Sequence, residues 1–170
     1  MSRRQAQKKK IWFYVNQAYH SYLINIFINR LIKHGKKSIS YKILYFVLYK
    51  IQSKTKRNAL ALLEYSTRKV TPSVHLKSRR IGGSIYQVPV EVNAYQGTII
   101  AIQWTLKSTR SRQGANIVNC LYSEIIDIIQ GKGRSTRKRE EVHRIAEANK
   151  AFARFRFLIK WSLAFKLKTL

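Results

Sequence analysis

The balance of charge constrains this chain more than any other feature of its sequence. Thirty-four Lys and Arg residues stand against seven acidic residues, so 170 residues carry a formal net charge of +27. The first acidic residue is Glu64, and the N-terminal third therefore has no internal compensation. A compact chain with this excess repels itself unless a polyanion neutralises it. Nucleic acid is the commonest such partner, and an anionic membrane surface is the main competitor.

The rest of the composition permits a folded core and argues against a secreted or membrane-spanning chain. Hydrophobic residues make up 45% of the sequence, which is enough for one domain. Cys120 is the only cysteine, so a small core residue is expected rather than a disulfide framework or zinc site. Residues 11–32 are rich in apolar side chains, but polar residues interrupt them well before the ~20 needed to span a bilayer. We expect this segment to be mature sequence with no membrane role.

Apolar residues recur at three- and four-residue spacing through most of the chain, which predicts helices. The six predicted helices begin near Tyr19, Ser38, Asn58, Thr98, Asn116 and Arg137. Gly35 stands where a C-terminal cap of the first helix would, and Pro72 ends the third. Residues 131–136 are predicted to form a loop.

Two of these helices carry specific packing predictions. The residues predicted to form the buried stripe of the second helix are Ile39, Ile43, Phe46, Val47 and Ile51. In the sixth helix, Phe152 and Phe155 continue the spacing of Val142 and Ile145. We therefore expect that helix to run through both phenylalanines, with burial in the core favoured over stacking on bases.

Alternating residues on both sides of Gly82 and Gly83 predict a β-hairpin over residues 74–92. Pro89 has no N–H to donate to a strand ladder, so it belongs on an edge, and both strands of a lone hairpin are edges. The predicted fold is mostly α: a single domain of about six helices with one protruding hairpin over residues 19–157. Residues 1–18 are predicted to be a basic and aromatic arm, and residues 158–170 a C-terminal extension.

Catalysis is poorly supported. Glu140 and Glu141 are adjacent, so they point to different sides of a helix and form no acid–base pair. Glu124 and Asp127 could hold a metal, but a solvated face or pairing with basic residues is the commoner arrangement. His143 follows Glu140 at the spacing of di-metal helical bundles, but too few other acids exist to complete such a site. We expect no catalytic residue, no metal and no cofactor.

Basic residues gather instead at predicted helix ends and turns. The candidate nucleic-acid contacts are Arg3 and Arg4 in the arm, Lys33, Lys36 and Lys37 after the first helix, Lys77, Arg79, Arg80, Gly82 and Gly83 in the hairpin, Arg110 and Arg112 after the fourth helix, and Arg137, Lys138 and Arg139 in the sixth. Cations near a helix N-terminus oppose the helix dipole, so residues 137–139 make better sense as phosphate contacts than as stabilising groups. No pattern of a duplex-DNA reader is visible, and scattered basic elements suit folded RNA.

Several separated motifs resemble one known family. The sequence KSRRIGGSIYQVPVEV at residues 77–92, Ile102-Gln103-Trp104, and RKREEVHRIAEANKAFARFRF at residues 137–157 are similar to the bacterial-type family of small-subunit ribosomal protein seven. INRLIKHGKKSISYKILY at residues 28–45 and the run from Ile51 to Thr55 fit the same family in order. The resemblance covers roughly residues 19–157.

The resemblance implies binding to the 3′ major domain of small-subunit ribosomal RNA, where such a protein starts assembly of the head. It also implies neighbouring ribosomal proteins of the head and platform, and a position near the exit-site tRNA and the mRNA exit path, with the hairpin as a contact. It adds Arg30, Arg144 and Lys150 to the candidate RNA contacts.

The sequence departs from bacterial members in ways that bear on its origin. NAYQG at residues 93–97 resembles plastid members, and the bias toward Ile, Asn, Lys and Tyr indicates an AT-rich genome. A plastid ribosome is therefore expected, with the bacterial cytoplasm or a mitochondrion as alternatives. An architectural DNA-binding protein, a membrane-surface protein using residues 11–32 and an RNA-processing enzyme are the competing functions, and none of them accounts for the ordered motifs.

Overall fold

Six α-helices and one two-stranded antiparallel hairpin make up the part of the chain that the structure, a computed structural model, describes: residues 21–81, 83–114 and 116–156. In chain order the elements are α1 (Tyr22–Leu31), α2 (Lys37–Thr55), α3 (Ala59–Val70), β1 (Val74–Ile81), β2 (Ser84–Glu91), α4 (Ala94–Arg110), α5 (Ile117–Gln130), α6 (Arg134–Ala148) and a 3-10 segment (Lys150–Arg156). The predicted mostly α fold is confirmed. The predicted arm, residues 1–18, and the extension, residues 158–170, lie outside the described residues.

Asparagine side chains fix the start of two helices. The Asn58 side chain accepts a hydrogen bond from the backbone N–H of Leu60 at 3.0 Å, and Asn116 accepts one from Val118 at 2.9 Å. Each bond satisfies one of the N–H groups that a helix leaves unpaired in its first turn. The predicted starts of α3 and α5 are therefore confirmed.

The main core lies where five helices meet around α5, which packs against α2, α3 and α4. Phe27, Leu44, Leu63, Ile102 and Ile125 come from α1 to α5 in turn, and all are at most 1% exposed. Full burial of a side chain of this size contributes about 1.5–3 kcal/mol. The core therefore holds the helical layer together independently of the charged surface.

The predicted buried stripe of α2 is wrong in part. Val47 and Ile51 are buried, but Ile39 and Phe46 are 48% and 62% exposed, and Leu44 takes an inward position instead. Apolar and aromatic residues occur on every side of this helix, so their spacing did not single out one face. Packing against α1, α3 and α5 decided it.

Two helices, α4 and α6, begin earlier in the structure than the sequence predicted. α4 begins at Ala94, four residues before the predicted start. It contains Gly97, where an added Cβ would lie 2.8 Å from Thr71 Cγ2, so glycine permits close packing of α4 on the end of α3. α6 begins at Arg134, because Gly131 ends α5 in the left-handed conformation (φ +85°) and leaves only a short loop.

α6 ends at Ala148, and Phe152 lies in the 3-10 segment rather than on the predicted continuation of the helix. The Phe152 ring packs on Tyr86 of β2, with centroids 4.9 Å apart. The neighbouring Val88 is fully buried. The 3-10 segment thus covers one face of the hairpin and anchors it to the helical layer.

The hairpin has the predicted two-residue turn. Ile81 pairs with Ser84 across it, and the register places Arg80 opposite Ile85 and Arg79 opposite Tyr86. None of the helices in the described ranges is long and apolar enough to cross a membrane.

Leu44→Ala and Ile39→Ala test which side of α2 faces the core. Truncating the buried Leu44 should lower the free energy of unfolding by about 2–5 kcal/mol, because it leaves a cavity. The same truncation at the half-exposed Ile39 should cost less than about 1 kcal/mol. Urea unfolding followed by circular dichroism measures both, and equal losses would contradict the orientation described.

Candidate nucleic-acid interface

The hairpin carries positive charge on both of its faces. Cross-strand partners lie on the same side of a sheet, so Arg80 shares a face with Ile85, whereas Lys77 and Arg79 share the other with Tyr86. Lys77 and Arg80 are exposed and pair with no acidic side chain of the described residues. The Arg79 Nε atom is buried and has no hydrogen-bond partner there. These three cations are therefore not neutralised within the hairpin.

The hairpin turn is open to close approach. Gly83 has φ +91°, a conformation that side chains disfavour, and an added Cβ would meet nothing within 4 Å. Gly82 lies outside the described residues. The acid of the strand pair, Glu91, sits at the far end opposite Val74. The tip therefore combines accessible backbone with uncompensated charge.

A second cationic site lies between the end of α4 and the start of α6. The side chains that line this basic cleft, of about 330 Å³, are Trp104, Lys107, Ser108, Ser111, Arg134 and Lys138. The Arg134 Nη1 atom is 3.3 Å from Ser111 Oγ, to which it donates. Arg110, exposed at the end of α4, adjoins Ser111. A cleft with three cations suits a phosphate group.

Lys107 and Arg134 were missed by the sequence analysis. Lys107 lies three residues before Arg110, a spacing that places both on one side of a helix, so its position could have been inferred. Arg134 was assigned to a loop, since the start of α6 was placed three residues too late. The helix start, which needed the cap geometry, brings it into the cleft.

Within its own first turn, α6 has no negative group to offset the cations at its N-terminal end. Its N-cap is Gly133, which has no side-chain acceptor, and the first turn contains no acid. The Arg137 side chain is exposed and makes no hydrogen bond or ion pair with the described residues. Each cation near a helix N-terminus costs about 0.3–1 kcal/mol. The Glu124 carboxylate, which accepts a hydrogen bond from the Ser135 backbone N–H, offsets part of this cost, and an external anion beside Arg137 would offset more of it.

The other two basic residues of this run have partners within the chain. The Lys138 Nζ atom lies 2.9 Å from Glu141 Oε2, and this hydrogen bond holds the pKa of Glu141 below its ordinary value. The Arg139 Nη1 atom donates to the carbonyl oxygen of Lys69 at 2.7 Å and so ties α6 to the end of α3. Lys138 remains half exposed, and it still lines the basic cleft.

Arg112, a predicted contact, is engaged inside the protein. Its Nε and Nη2 atoms donate to Glu124 Oε2 at 2.8 and 2.5 Å, and Nη2 also donates to Asp127 Oδ2. Burial lowers the pKa of the Arg112 guanidinium, but the bonds to Asp127 and Glu124 more than compensate, so its pKa is raised. Glu124 and Asp127 are therefore partners for a basic residue, and Glu124, with 0% side-chain exposure, is not part of a solvated face.

Glu124 also holds the start of α6. Its Oε1 atom accepts hydrogen bonds from the Ser135 backbone N–H, at 3.2 Å, and from the Ser135 hydroxyl. One carboxylate thereby joins the α4–α5 loop, through Arg112, to the first turn of α6. This network positions the side chains of the basic cleft.

The turn between α1 and α2 gathers a third group of cations. The α1–α2 turn cluster consists of Arg30, Lys33, Lys36 and Lys37, all exposed. His34 and Gly35 adopt left-handed backbone conformations that fold the chain back between the helices. Arg144 of α6 and Lys150 of the 3-10 segment are exposed outside these clusters, while Arg3 and Arg4 lie outside the described residues.

Comparison with known families identifies the chain. The family model of ribosomal protein S7p/S5e matches residues 1–150, which include the hairpin and all of α6. The chain belongs to the S7p/S5e family. It is accordingly a small-subunit ribosomal protein that binds ribosomal RNA and works in the ribosome beside other ribosomal proteins. The S7p/S5e family is a structural ribosomal family and not an enzyme family.

The candidate catalytic groups of this S7p/S5e protein have structural contacts. The His143 Nε2 atom accepts a hydrogen bond from the Ser73 backbone N–H at 3.3 Å, which connects α6 to the start of β1. No three potential metal ligands come together within residues 21–156 as far as they are described. Cys120 is half-buried and unpaired with another cysteine.

Arg112→Ala should destabilise the protein far more than Lys138→Ala. Removing Arg112 leaves the Glu124 carboxylate buried without its cation, which costs about 3–5 kcal/mol in comparable buried pairs. Lys138 and Glu141 form an exposed pair, worth about 0–1 kcal/mol. Chemical unfolding of both variants measures the difference, and a small loss for Arg112→Ala would show that this network is not structurally important.

Proposed function

We propose that this protein binds the 3′ major domain of small-subunit ribosomal RNA and starts assembly of the head of the subunit. The observation that carries the proposal is that Lys77 and Arg80 of the hairpin and Arg137 at the start of α6 are exposed and have no carboxylate partner among the described residues. Proteins bind structured RNA largely through phosphates and shape, so such groups at rigid element ends suit that task. The family membership indicates that the RNA is ribosomal RNA of the small subunit, and the arrangement of charge indicates which surface of the protein binds it.

The proposed contacts are basic side chains and turn glycines that are exposed, close to an exposed site, or in the arm. They are Arg3, Arg4, Arg30, Lys33, Lys36, Lys37, Lys77, Arg79, Arg80, Gly82, Gly83, Lys107, Arg110, Arg134, Arg137, Lys138, Arg139, Arg144 and Lys150. Arg112 has a different role in this proposal: it orients the start of α6 and is not itself a phosphate contact.

We extend the proposal to the surroundings of the protein in the subunit. The hairpin lies near the exit-site tRNA and the mRNA exit path, and the neighbours are ribosomal proteins of the head and platform. Residues 19–157 form the RNA-binding domain, with residues 1–18 and 158–170 as additional contacts. The family resemblance supports these assignments, together with the hairpin's open turn and uncompensated charge.

We also propose that the ribosome is that of a plastid, on the basis of the NAYQG sequence and the bias toward Ile, Asn, Lys and Tyr. Mass spectrometry of small subunits from isolated plastids should detect peptides of this chain. Their presence in cytosolic ribosomes and absence from plastid ones would contradict the assignment.

Salt titration with Arg79→Gln/Arg80→Gln tests the hairpin contacts. The affinity of the full chain for a 3′ major domain RNA fragment should fall linearly with salt on a log–log plot, by about 0.7–0.9 per phosphate neutralised. If both arginines contact phosphates, the slope of the double variant should be shallower by about 1.4–1.8. Filter binding or fluorescence anisotropy provides the affinities.

Arg57→Gln/Arg68→Gln is the matched control, because it removes the same charge from exposed positions outside the proposed contacts. Its slope should stay close to that of the unmodified chain. Equal slopes for the two double variants would mean that the hairpin arginines are not specific contacts. Tighter binding to duplex DNA than to the RNA fragment would favour an architectural DNA-binding protein instead.

A further inference from the structure

The outward face of α2 presents a stripe of side chains that the described residues leave exposed. Ile39, Phe46 and Tyr49 are 48%, 62% and 71% exposed. With the exposed Lys42 and Ser53 they follow one another at three- and four-residue spacing, so they line a single side of the helix. Single apolar residues are ordinary on a protein surface, but several exposed apolar and aromatic side chains on one side of a helix indicate an interaction site. These five residues form the α2 face.

The α2 face is bordered by cations on the side of α5. The Nζ atoms of Lys50 and Lys54 lie 5.1 and 5.5 Å from the ring centroid of Tyr122, so both ammonium groups are held beside this helix. Lys50 also donates a hydrogen bond to the Asn119 side chain at 2.5 Å. α2 contains no acidic residue. The border therefore provides positive charge in fixed positions.

A groove runs along this border and gives the α2 face depth. The side chains that line it are Phe46, Tyr49, Lys50, Ser53, Asn116 and Val118. The aromatic rings form one wall, and the amide and hydroxyl groups provide hydrogen-bonding capacity. An occupant of this groove meets aromatic faces, neutral polar groups and an ammonium group together.

The groove of the α2 face lies apart from the hairpin and the basic cleft, although the Ile39 end of this face adjoins the α1–α2 turn cluster. α2 packs against α1, α3 and α5, whereas the hairpin packs against α6 and the 3-10 segment. Lys50 follows Lys37 of the α1–α2 turn cluster by thirteen residues on one helix, which is about 20 Å. An occupant of the groove is therefore not explained by the proposed hairpin and cleft contacts.

We propose that the α2 face binds a single-stranded segment of RNA. Bases stack on Phe46 and Tyr49, and phosphates pair with Lys42, Lys50 and Lys54. Aromatic side chains interleaved with cations form the usual platform for single strands. An amphipathic protein helix could also cover an apolar stripe, but it would need carboxylates opposite three lysines, whereas a polynucleotide brings both stacking surfaces and negative charge. The proposal rests on the RNA binding of the family and is independent of the hairpin contacts.

The test compares Phe46→Ala/Tyr49→Ala with the unmodified full chain for binding to a fluorescent twelve-nucleotide oligouridylate at about 0.15 M salt. Loss of two stacking platforms should weaken binding at least about tenfold. The conservative pair Phe46→Tyr/Tyr49→Phe keeps both rings and should bind as the unmodified chain does. Because both side chains are largely exposed, thermal unfolding midpoints should change little, and this separates lost stacking from lost folding.

Tyr65→Ala is the matched control, since Tyr65 is 52% exposed on α3 with the Lys69 Nζ atom 5.7 Å from its ring. It should change the affinity less than about twofold. Equal effects of Tyr65→Ala and Phe46→Ala/Tyr49→Ala would overturn the proposal. So would a larger loss with Arg79→Gln/Arg80→Gln, which would place the single strand on the hairpin. In assembled subunits, ultraviolet crosslinks from α2 should reach RNA, and crosslinks to a ribosomal protein alone would identify a protein partner instead.

Discussion

Glu124 is the group on which the arrangement of the basic elements depends. It is fully buried, and it accepts hydrogen bonds from Arg112 on one side and Ser135 on the other. Burying a carboxylate is costly unless its charge is paired and its oxygens are satisfied, and here both conditions hold. These hydrogen bonds connect the α4–α5 loop to the start of α6. Without the Glu124 carboxylate, the cleft side chains from the end of α4 and those from the start of α6 would not be held in position relative to one another.

The positions of the paired acidic residues explain which parts of the surface keep uncompensated positive charge. Among the seven acidic residues, Glu124 and Asp127 pair with Arg112, and Glu141 pairs with Lys138. The first 63 residues contain no acid at all, and neither does the hairpin between Lys77 and Gln87. Carboxylates thus support the scaffold, whereas the hairpin tip and the α1–α2 turn cluster stay cationic. In this ribosomal protein, burial of the apolar core stabilises the fold, and the cations that carboxylates do not pair with are available to bind RNA.

Local sequence signals predicted those elements that local interactions determine. Gly82 and Gly83 between alternating runs gave the hairpin, and Asn58 and Asn116 gave two helix starts, because turns and caps depend on a few neighbouring residues. The orientation of α2 could not be read in this way, since apolar side chains surround it and tertiary packing selects the face. Phe152 has helical spacing from Val142 and Ile145, but contact with Tyr86 of a distant strand places it in a 3-10 segment.

In the candidate site, too, some features could be predicted from local sequence, whereas others depend on tertiary packing. Exposed cations at turns, such as Lys33 and Arg80, were identified from the sequence because clustered charge without acids has few structural uses. Arg112 looked identical in sequence, and its partners Glu124 and Asp127 lie twelve and fifteen residues further along the chain. Only the packing of α5 against the preceding loop reveals that pairing. Charge alone therefore predicts a surface, but the fold decides which cations belong to it.

Directed hydroxyl-radical cleavage tests the central claim most directly. An iron chelate is tethered at the hairpin turn through Ser84→Cys in a Cys120→Ser background, and the protein is assembled into small subunits. Cleavage of the ribosomal RNA should concentrate in the 3′ major domain, and the same probe at Ala61→Cys, exposed on α3, should give a different pattern. Cleavage confined to another domain, or identical patterns from both probes, would contradict the account.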